Sequence, residues 1–272
     1  MPFAAHLGFP PPLLGDHAVR LRACYEPGAW LALEKPAGIW ARPDTGSGKV
    51  APSMDEGIWK QLGRDLPSWN ALEVESGFRP KTVFPMDLAV SGIGLWGLSD
   101  AWSERLRNVY GSGQGVFVFE LFSSRNGEID DVFEVDLPIA QHLQEPDRWL
   151  VSHSTGKKAQ TRFERIHIWE RAGVELWRAE TNFLRGHQIR LHATEAGVPI
   201  LNDSVYAIDM LSPSLAELKK RRVAKRAEAS LPIWAELNLH LVSFSCGDTG
   251  SIGFERPRPM QTLLRKLKEF GK

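Results

Sequence analysis

One acidic residue in this 272-residue chain stands in a setting suited to covalent or acid–base chemistry. Asp87 lies in the segment FPMDLAVSGIGLWGLS, residues 84–99, shortly before Ser91-Gly92 and a run of apolar residues. An apolar run of that length beside glycine and serine predicts a buried strand, with Asp87 at its mouth in partly desolvated surroundings. A carboxylate placed there can act as a nucleophile or as a general base. It can equally close a turn through its side-chain oxygens, as loop aspartates commonly do.

A second group of chemically capable residues follows much later in the chain. It consists of Arg185, His187, Gln188, Arg190 and His192. The segment reads as a turn that opens a helix ending at Gly197, and on that helix His187 and Arg190 project together. An arginine so placed can pair with a carboxylate from elsewhere in the fold, or hold a phosphate group. The same pattern is also compatible with an ordinary solvent-facing side of a helix.

The composition limits the class of protein. Hydrophobic residues make up 43% of the chain, which excludes a disordered protein, and no apolar run is long enough for a membrane span. The N-terminus lacks a basic region ahead of an apolar core, so no secretory signal is predicted. Cys24 and Cys246 are too few for a disulfide framework, which favours the reducing cytoplasm. Because 33 basic side chains balance 33 acidic ones, a polyanionic partner requires a local basic patch.

The order of the predicted elements favours an α+β fold. Residues 1–28 hold several prolines and predict an extended N-terminal arm, while residues 29–272 form the folded body of the protein. Helices are predicted to begin at Ser53, Ser99 and Ser214, where a serine side chain can accept a backbone N–H from the first helical turn. Strands are predicted over residues 30–34, 93–98, 116–122, 132–137, 159–169, 174–180 and 237–246. Because several of these strands follow one another through short turns, their pairing should be antiparallel.

Three familiar motifs fail when their residues are checked. The segment 44–49 suggests a phosphate loop, but Val50 stands where that loop needs serine or threonine, and Pro43 stands where it needs glycine. The histidines do not have the paired spacing of a zinc motif. Ser91 lacks the glycine two residues earlier that a nucleophile elbow uses. Nucleotide-dependent, metal-dependent and serine-hydrolase chemistry are therefore not predicted.

Taken together, these segments resemble the RluA-like family of pseudouridine synthases. FPMDLAVSG (84–92) is similar to the nucleophile motif HRLDxxTSG at its aspartate, serine and glycine positions. Five further segments resemble family motifs in the family's order: LEKPAG (33–38), VDLPI (135–139), GKKAQTRF (156–163), GHQIRLH (186–192) and PILND (199–203) followed by Tyr206. No single piece is specific, but the combination is.

The resemblance implies a fold and a chemistry. The family has an α+β fold with a long, mixed but mostly antiparallel sheet in two lobes that flank a catalytic cleft. It isomerises uridine in structured tRNA or rRNA to pseudouridine. An aspartate attacks a flipped-out uridine, the glycosidic bond breaks, and the base is rejoined through C5 without a metal or a nucleotide cofactor. By position, Asp87 is the nucleophile, Arg190 its ion-pair partner, and Phe163 the ring that stacks on the uracil. The expected state is a monomer in the cytoplasm, without membrane contact.

The resemblance and the charge pattern also suggest which residues contact RNA. The expected substrate-binding residues are Lys35, Arg162, Arg185, His187 and Gln188. A basic helical insertion is expected at about residues 207–234, with cations at Lys219, Lys220, Arg221 and Arg222. Those cations can bind phosphates, or they can simply face solvent, as charge runs often do.

Several residues depart from the family's motifs. Phe84 and Pro85 replace the His-Arg before the aspartate, where the family's arginine is thought to fill the gap left by the flipped base. Phe84 can wedge into a base stack, but Pro85 has no cationic arm. Phe163 replaces a tyrosine, and the loss of its hydroxyl leaves the deprotonation at C5 to water or to Asp87 itself. Gly186 replaces the threonine of the THQIR motif.

These departures leave three hypotheses. The first is an active RNA pseudouridine synthase that prefers a uridine in a loop, unless Arg162 or Lys158 replaces the missing arginine. The second is a non-catalytic RNA-binding protein on the same fold. The third is an unrelated enzyme in which Asp87 is a general base acting on a small molecule. Retention of both Asp87 and Arg190 favours catalysis, because a buried charge pair is costly and is readily lost when it has no use.

Overall fold

The structure is a computed structural model that describes residues 2–43, 52–125, 128–219 and 231–270. Within these ranges the strands are β1 (Phe3–Phe9), β2 (Val19–Glu26), β3 (Trp30–Lys35), β4 (Gly92–Gly97), β5 (Val116–Ser124), β6 (Val132–Asp136), β7 (Ile139–Gln141), β8 (Trp149–Val151), β9 (Gln160–Trp169), β10 (Val174–Thr181), β11 (Leu239–Cys246) and β12 (Gly250–Gly253). The helices are α1 (Met54–Leu62), α2 (Pro67–Asn70), α3 (Asp100–Gly111), α4 (Gln188–Glu195), α5 (Leu215–Leu218) and α6 (Arg258–Phe270). The segment 44–49 and the cations at 220–222 lie outside the described residues.

The predicted α+β architecture is confirmed, with two main antiparallel sheets. The first has the strand order β1-β2-β3-β4, and the second has the order β12-β11-β5-β10-β9-β6. The strands β7 and β8 form a separate two-stranded hairpin. The antiparallel pairing predicted for the strands after α3 is confirmed, and β10 lies between β5 and β9. The predicted helix starts are also confirmed, since Ser53, Ser99 and Ser214 each accept a backbone N–H from the first turn.

In place of the predicted extended arm, the N-terminal residues form two strands of the first sheet. Leu7 and Phe9 on β1, and Leu21 and Ala23 on β2, are buried at alternate positions. The prolines at 10–12 lie in the connection between these strands, where a missing N–H costs no ladder hydrogen bond. The alternating apolar residues therefore determine this part of the fold, and the prolines mark only the connection.

The two main sheets meet at the start of β4, a few residues after Asp87. Ser91 and His240 form an isolated parallel bridge, and the Ser91 hydroxyl lies 2.9 Å from Nδ1 of His240. Burial lowers the pKa of His240 to about 4, so the ring is neutral at pH 7. Gly92 has a φ of 138°, and a Cβ there would lie 2.5 Å from Cβ of Leu241. The Ser-Gly pair thus allows the two sheets to approach closely beneath the loop that carries Asp87.

We expect Gly92→Ala to lower the free energy of unfolding by about 2–3 kcal/mol, because the added methyl must displace the backbone of β11 and occupies a left-handed conformation. Denaturation by urea measures the change. Gly111→Ala is the matched control, since a Cβ at that position meets nothing within 4 Å, and it should leave stability almost unchanged. Equal stability of the two variants would contradict the close approach of the sheets at Gly92.

The main apolar core joins the elements that carry the candidate site. It includes Ile93 on β4, Phe117 on β5, Ala179 on β10, Ile189 on α4 and Leu241 on β11. The loop before β4 and the start of α4 are therefore fixed to the same core, and their polar residues can meet at a defined distance. Across the described ranges, no helix has both the length and the apolar character that a membrane span requires.

Candidate active site

Asp87 lies in a short loop whose two ends are buried. Phe84 is fully buried and packs edge-on against Phe117, with ring centroids 4.9 Å apart, while Val90 begins the approach to β4. The Val90 N–H donates to the carbonyl of Asp87 at 3.2 Å, so the backbone forms the turn. The side chain of Asp87 faces away from this turn, and its Oδ1 accepts the N–H of His187 at 3.3 Å. Asp87 thus points towards α4, and its side chain has no turn-closing role among the described contacts.

The buried side chain of Lys35 stabilises this loop through hydrogen bonds. The side chain is fully buried, and Nζ donates to the carbonyls of Pro36 at 3.0 Å, Leu88 at 3.3 Å and Val90 at 2.7 Å. Burial lowers the pKa of Lys35 to about 7, and the negative charge of Asp87 acts in the opposite direction. The prediction that Lys35 binds substrate is therefore corrected: the residue has no accessible surface and acts on the loop.

The buried Lys35 makes a testable contribution to the pH dependence of stability. The folded protein releases the Lys35 proton near pH 7, whereas the unfolded chain keeps it until about 10.5, the residue's ordinary pKa. Between these pH values unfolding takes up a proton, so stability rises with pH at up to about 1.4 kcal/mol per pH unit. We expect Lys35→Met to remove this slope, measured as the difference between urea denaturation series of the two proteins from pH 7 to 10. Parallel series would contradict this account of Lys35.

The start of α4 is fixed by Gln188. This side chain is 2% exposed, and its Nε2 donates to the carbonyl of Gln160 at 3.0 Å, with the hydroxyls of Thr161 and Thr181 at 3.1 and 3.0 Å. Its Oε1 accepts the N–H of Arg185 at 2.9 Å. Gln188 therefore ties the turn before α4 to β9 and β10. It was predicted to bind substrate, but its polar atoms are already occupied by these contacts.

Arg190 joins two carboxylates. Its Nη1 lies 3.9 Å from Oδ2 of Asp87, so the predicted ion pair is present at the outer limit of salt-bridge distance. The stronger contact is to Asp203, which accepts two hydrogen bonds from Nε at 2.8 Å and from Nη2 at 2.6 Å. Burial disfavours the charge on Arg190, but the hydrogen bonds and charge of Asp203, with a further contribution from Asp87, raise its pKa.

Asp203 belongs to the polar network around Asp87 and was not predicted from the sequence as a site residue. It is 1% exposed, and burial alone would raise its pKa. The hydrogen bonds and charge of Arg190, and the N–H groups of Val205 and Tyr206, lower that pKa instead. The PILND segment placed Asp203 inside a family-like motif, and that was the signal available. Its pairing with Arg190, thirteen residues earlier, appears only in the folded chain.

His187 completes the polar network around Asp87. Its Nε2 lies 3.3 Å from Nη1 of Arg190 and 3.9 Å from Oδ2 of Asp87, and its Nδ1 lies 3.0 Å from the hydroxyl of Tyr206. Because arginine can only donate, Nε2 accepts and Nδ1 carries the proton. Burial, the largest influence, lowers the pKa of His187, which agrees with a neutral ring at pH 7. The Tyr206 hydroxyl in turn donates to the carbonyl of Trp149 at 3.1 Å.

A large cleft adjoins this network. It has a volume of about 1490 Å³, and its described lining includes the cations Arg42, Lys81, Arg107, Lys157 and Arg185. The carboxylate in the same lining, Asp55, is itself buried and accepts hydrogen bonds from Trp96 and from the backbone of Thr82. A smaller cavity of about 20 Å³, room for about one water molecule, is lined by Asp87 and shares Pro85 and Arg185 with the cleft. The cleft is therefore basic, and Asp87 lies at its edge with 18% of its side chain exposed.

Two further predicted residues lie away from the cleft. Phe163 is fully buried and stacks on Phe133, with ring centroids 5.1 Å apart, so it cannot stack on a substrate base in this structure. Arg162 has 43% of its side chain exposed and lies 3.5 Å from Glu164. Successive residues of a strand face opposite sides of the sheet, so β9 directs Phe163 into the core and Arg162 away from it. Both assignments are corrected. Arg185 and His187 lie beside Asp87, and their role in substrate binding stays a prediction.

The chain is similar in sequence to named pseudouridine synthases, although no protein-family model matches it. It is 27% identical over 168 residues to the dual-specificity RNA pseudouridine synthase RluA of Haemophilus ducreyi, an alignment that covers 60% of this chain and 72% of that protein. It is 25% identical over 205 residues to an uncharacterised RNA pseudouridine synthase of Aquifex aeolicus, covering 74% of this chain and 61% of that protein.

The fold is similar to those of two solved human proteins. RNA pseudouridylate synthase domain containing 4 superposes with a TM-score of 0.62 at 16% identity, over 90% of this chain and 92% of that one. RNA pseudouridylate synthase domain containing 1 gives a TM-score of 0.58 at 15% identity, over 88% and 84% of the two chains. At these identities the similarity is evidence for the fold, and the predicted fold class is confirmed.

Proposed function

We propose that this chain, which is an RluA-like pseudouridine synthase in sequence and fold, isomerises uridine to pseudouridine in RNA with Asp87 as its nucleophile. The observation that carries the proposal is the setting of Asp87. A partly exposed carboxylate lies at the edge of a basic cleft, where it accepts the backbone N–H of His187, just before α4, and faces a buried arginine. The named relatives are RNA pseudouridine synthases, so the enzyme class is an isomerase.

The geometry supports a division of roles within the site. The Asp87 carboxylate attacks C1′ of the flipped uridine as the bond between C1′ and N1 breaks. The freed base rotates, and C5 forms the new bond to C1′ as the bond between C1′ and Asp87 breaks, which restores the carboxylate. C5 then loses its proton to water or to Asp87 and N1 gains one, so the product is an isomer of the substrate and the step needs no metal or redox cofactor. Arg190 acts as a positioning residue because Asp203 fixes its guanidinium within 3.9 Å of Asp87. His187 contributes its backbone N–H as a donor to the same carboxylate.

The cleft supports an RNA substrate. A duplex or folded RNA presents closely spaced phosphates, and a groove lined by several arginines and lysines attracts them whatever the net charge of the protein. We propose that Arg185 binds a phosphate or a base next to the target, since its guanidinium lies 4.2 Å from the Phe183 ring centroid at the boundary between cleft and cavity. The proposed substrate is tRNA or rRNA, and the proposed state is a cytoplasmic monomer.

A purified-protein assay tests the proposal. RNA labelled with tritium at C5 of uridine loses the label when C5 becomes bonded to C1′, so released tritium counts the isomerisation events. The protein should release tritium from total cellular tRNA or rRNA in proportion to the pseudouridine formed. RNA binding without tritium release from any RNA would favour the alternative, a non-catalytic RNA-binding protein. The replacement of the family's His-Arg by Phe84 and Pro85 is the observation that favours this alternative.

We expect the enzyme to prefer a uridine in a loop over the same uridine in a stem. Extracting a stacked base costs a few kcal/mol, which an enzyme can offset by filling the gap with a side chain. Phe84 is buried and cannot insert into a base stack. Pro85 is exposed beside Asp87, but it has no cationic side chain that could fill the gap. Arg162 and Lys158 are absent from the described cleft lining. Turnover measured on a hairpin with the target in the loop, and on one with it in the stem, checks the preference; equal or faster reaction in the stem would refute it.

A further inference from the structure

Trp149 and Gly186 form a matched pair at the wall of the cleft. A Cβ on Gly186 would lie 2.1 Å from Cε2 and 2.5 Å from Nε1 of Trp149, so the indole occupies the space that any side chain at position 186 would need. Gly186 has no positive φ, which means that its backbone conformation does not require glycine. A larger residue at this position therefore requires the indole of Trp149 to move.

The contacts of Trp149 attach it to the candidate active site. The backbone N–H of Trp149 donates to the Tyr206 hydroxyl at 2.9 Å, and the backbone carbonyl of Trp149 accepts from the same hydroxyl at 3.1 Å. Tyr206 also binds Nδ1 of His187, whose backbone N–H contacts Asp87. Trp149 is thus linked to Asp87 through Tyr206 and His187 without touching it. This is the relation expected of a residue that contacts a nucleotide next to the target.

The indole of Trp149 has a polar group without a hydrogen-bond partner among the described residues. The residue is partly exposed and lines the cleft, and among the described residues its Nε1–H has no hydrogen-bond partner. Trp59 also lines the cleft, but its Nε1–H donates to the carbonyl of Pro80. A partly exposed aromatic ring with an unused donor in a basic cleft is suited to a nucleobase, which offers both a flat face and hydrogen-bond acceptors.

We propose that Trp149 is a substrate-recognition residue that stacks on an unpaired nucleotide next to the target uridine and donates its Nε1–H to that nucleotide. This inference rests on the proposed RNA isomerisation and deepens it, because it assigns a contact that selects a single-stranded neighbour of the target. The alternative is that Trp149 only packs the β7–β8 hairpin against Tyr206 and Leu191, in the small apolar cluster to which these residues belong.

The test compares Trp149→Ala with the wild type on three RNAs. One is intact, one has an abasic nucleotide on the 5′ side of the target, and one has it on the 3′ side. Base–aromatic stacking corresponds to about a 5- to 150-fold change in binding, so Trp149→Ala should raise KM on intact RNA within that range and change kcat by less than about threefold. The abasic RNA should raise the KM of the wild type similarly, on one of the two sides. The abasic RNA should change the KM of Trp149→Ala by less than about twofold relative to intact RNA.

Three additional variants separate recognition from structure. Trp149→Phe keeps a stacking ring without the N–H, and its KM should lie between those of the wild type and Trp149→Ala. Gly186→Ser should raise KM by displacing the indole, with no further increase when Trp149 is already alanine. Trp102→Ala, on α3 outside the described cleft lining, should leave KM unchanged. Cooperative thermal unfolding of each variant verifies that it is folded.

The same variants and RNAs can be compared by measuring RNA binding. This second measurement separates a failure of the inference about Trp149 from a failure of the proposed function. If the wild type releases no tritium from any RNA, the proposed isomerisation fails, while dissociation constants for intact and abasic RNA still report on Trp149. If wild type and Trp149→Ala respond equally to the abasic nucleotide on both sides, Trp149 contacts no neighbouring base and the inference is overturned. A loss of binding in Trp102→Ala equal to that in Trp149→Ala would overturn it as well.

Discussion

Replacing Asp87 with asparagine will lower the rate of tritium release from uridine-labelled RNA by at least about 10⁴-fold, as expected for loss of a nucleophile. The amide has nearly the size of the carboxylate and can still accept the N–H of His187 through its oxygen. It carries no negative charge, however, and is too weak a nucleophile to attack uridine. Binding of RNA should change by less than about tenfold, since the cleft cations are untouched.

The control for this variant is Asp16→Asn, which makes the same chemical change at an exposed position. It should retain the full rate. Thermal unfolding of both proteins verifies their folding. If Asp87→Asn released tritium at the wild-type rate, another residue would be the nucleophile, and the roles given to Arg190 and His187 would lose their basis.

The second large effect is expected at Asp203. In Asp203→Asn, an NH2 group replaces one carboxylate oxygen and the negative charge is lost. The Arg190 side chain, which is 4% exposed, then keeps its positive charge without the carboxylate that pairs with it. Breaking a buried ion pair in this way typically costs about 3–5 kcal/mol, because the remaining charge stays desolvated. The same change weakens the contacts that Asp203 makes to the N–H groups of Val205 and Tyr206. We therefore expect a lower urea midpoint together with a lower kcat.

A double replacement separates stability from catalysis at this pair. In Asp203→Leu with Arg190→Met, no buried charge remains, so stability should recover in part relative to Asp203→Asn. The rate of tritium release should not recover, because Asp87 has then lost the guanidinium 3.9 Å away. Recovery of both quantities together would mean that Arg190 contributes only to the fold. Wild-type stability of Asp203→Asn would contradict the buried pair itself.

The sequence predicted those parts of the site that depend on local pattern. Asp87 was recognised because a short loop and an apolar run surround it, and α4 was recognised from the spacing of His187 and Arg190. The pairing of Asp87 with Arg190 followed from the family resemblance, and in the structure Nη1 of Arg190 lies 3.9 Å from Oδ2 of Asp87. The local pattern was sufficient to predict these parts because both segments end on buried apolar residues, which determine where their polar side chains lie.

The sequence could not predict relations that only the folded chain creates. The pairing of Arg190 with Asp203 depends on where the chain after α4 returns. The direction of Phe163 depends on which face of β9 meets the core, and a shift of one residue exchanges it with Arg162. Lys35 reads as a surface residue because lysine is seldom fully buried, yet three carbonyls of two neighbouring segments accept its hydrogen bonds.

The most direct test of the central claim is a map of pseudouridines in total RNA from three cell lines: with this gene, without it, and with the gene carrying Asp87→Asn. The account predicts that at least one pseudouridine present with the intact gene is missing in both of the other lines, and that it lies in tRNA or rRNA. The identity of that site also gives the substrate. The same complete set of pseudouridines in all three lines would contradict the claim that this chain isomerises uridine through Asp87.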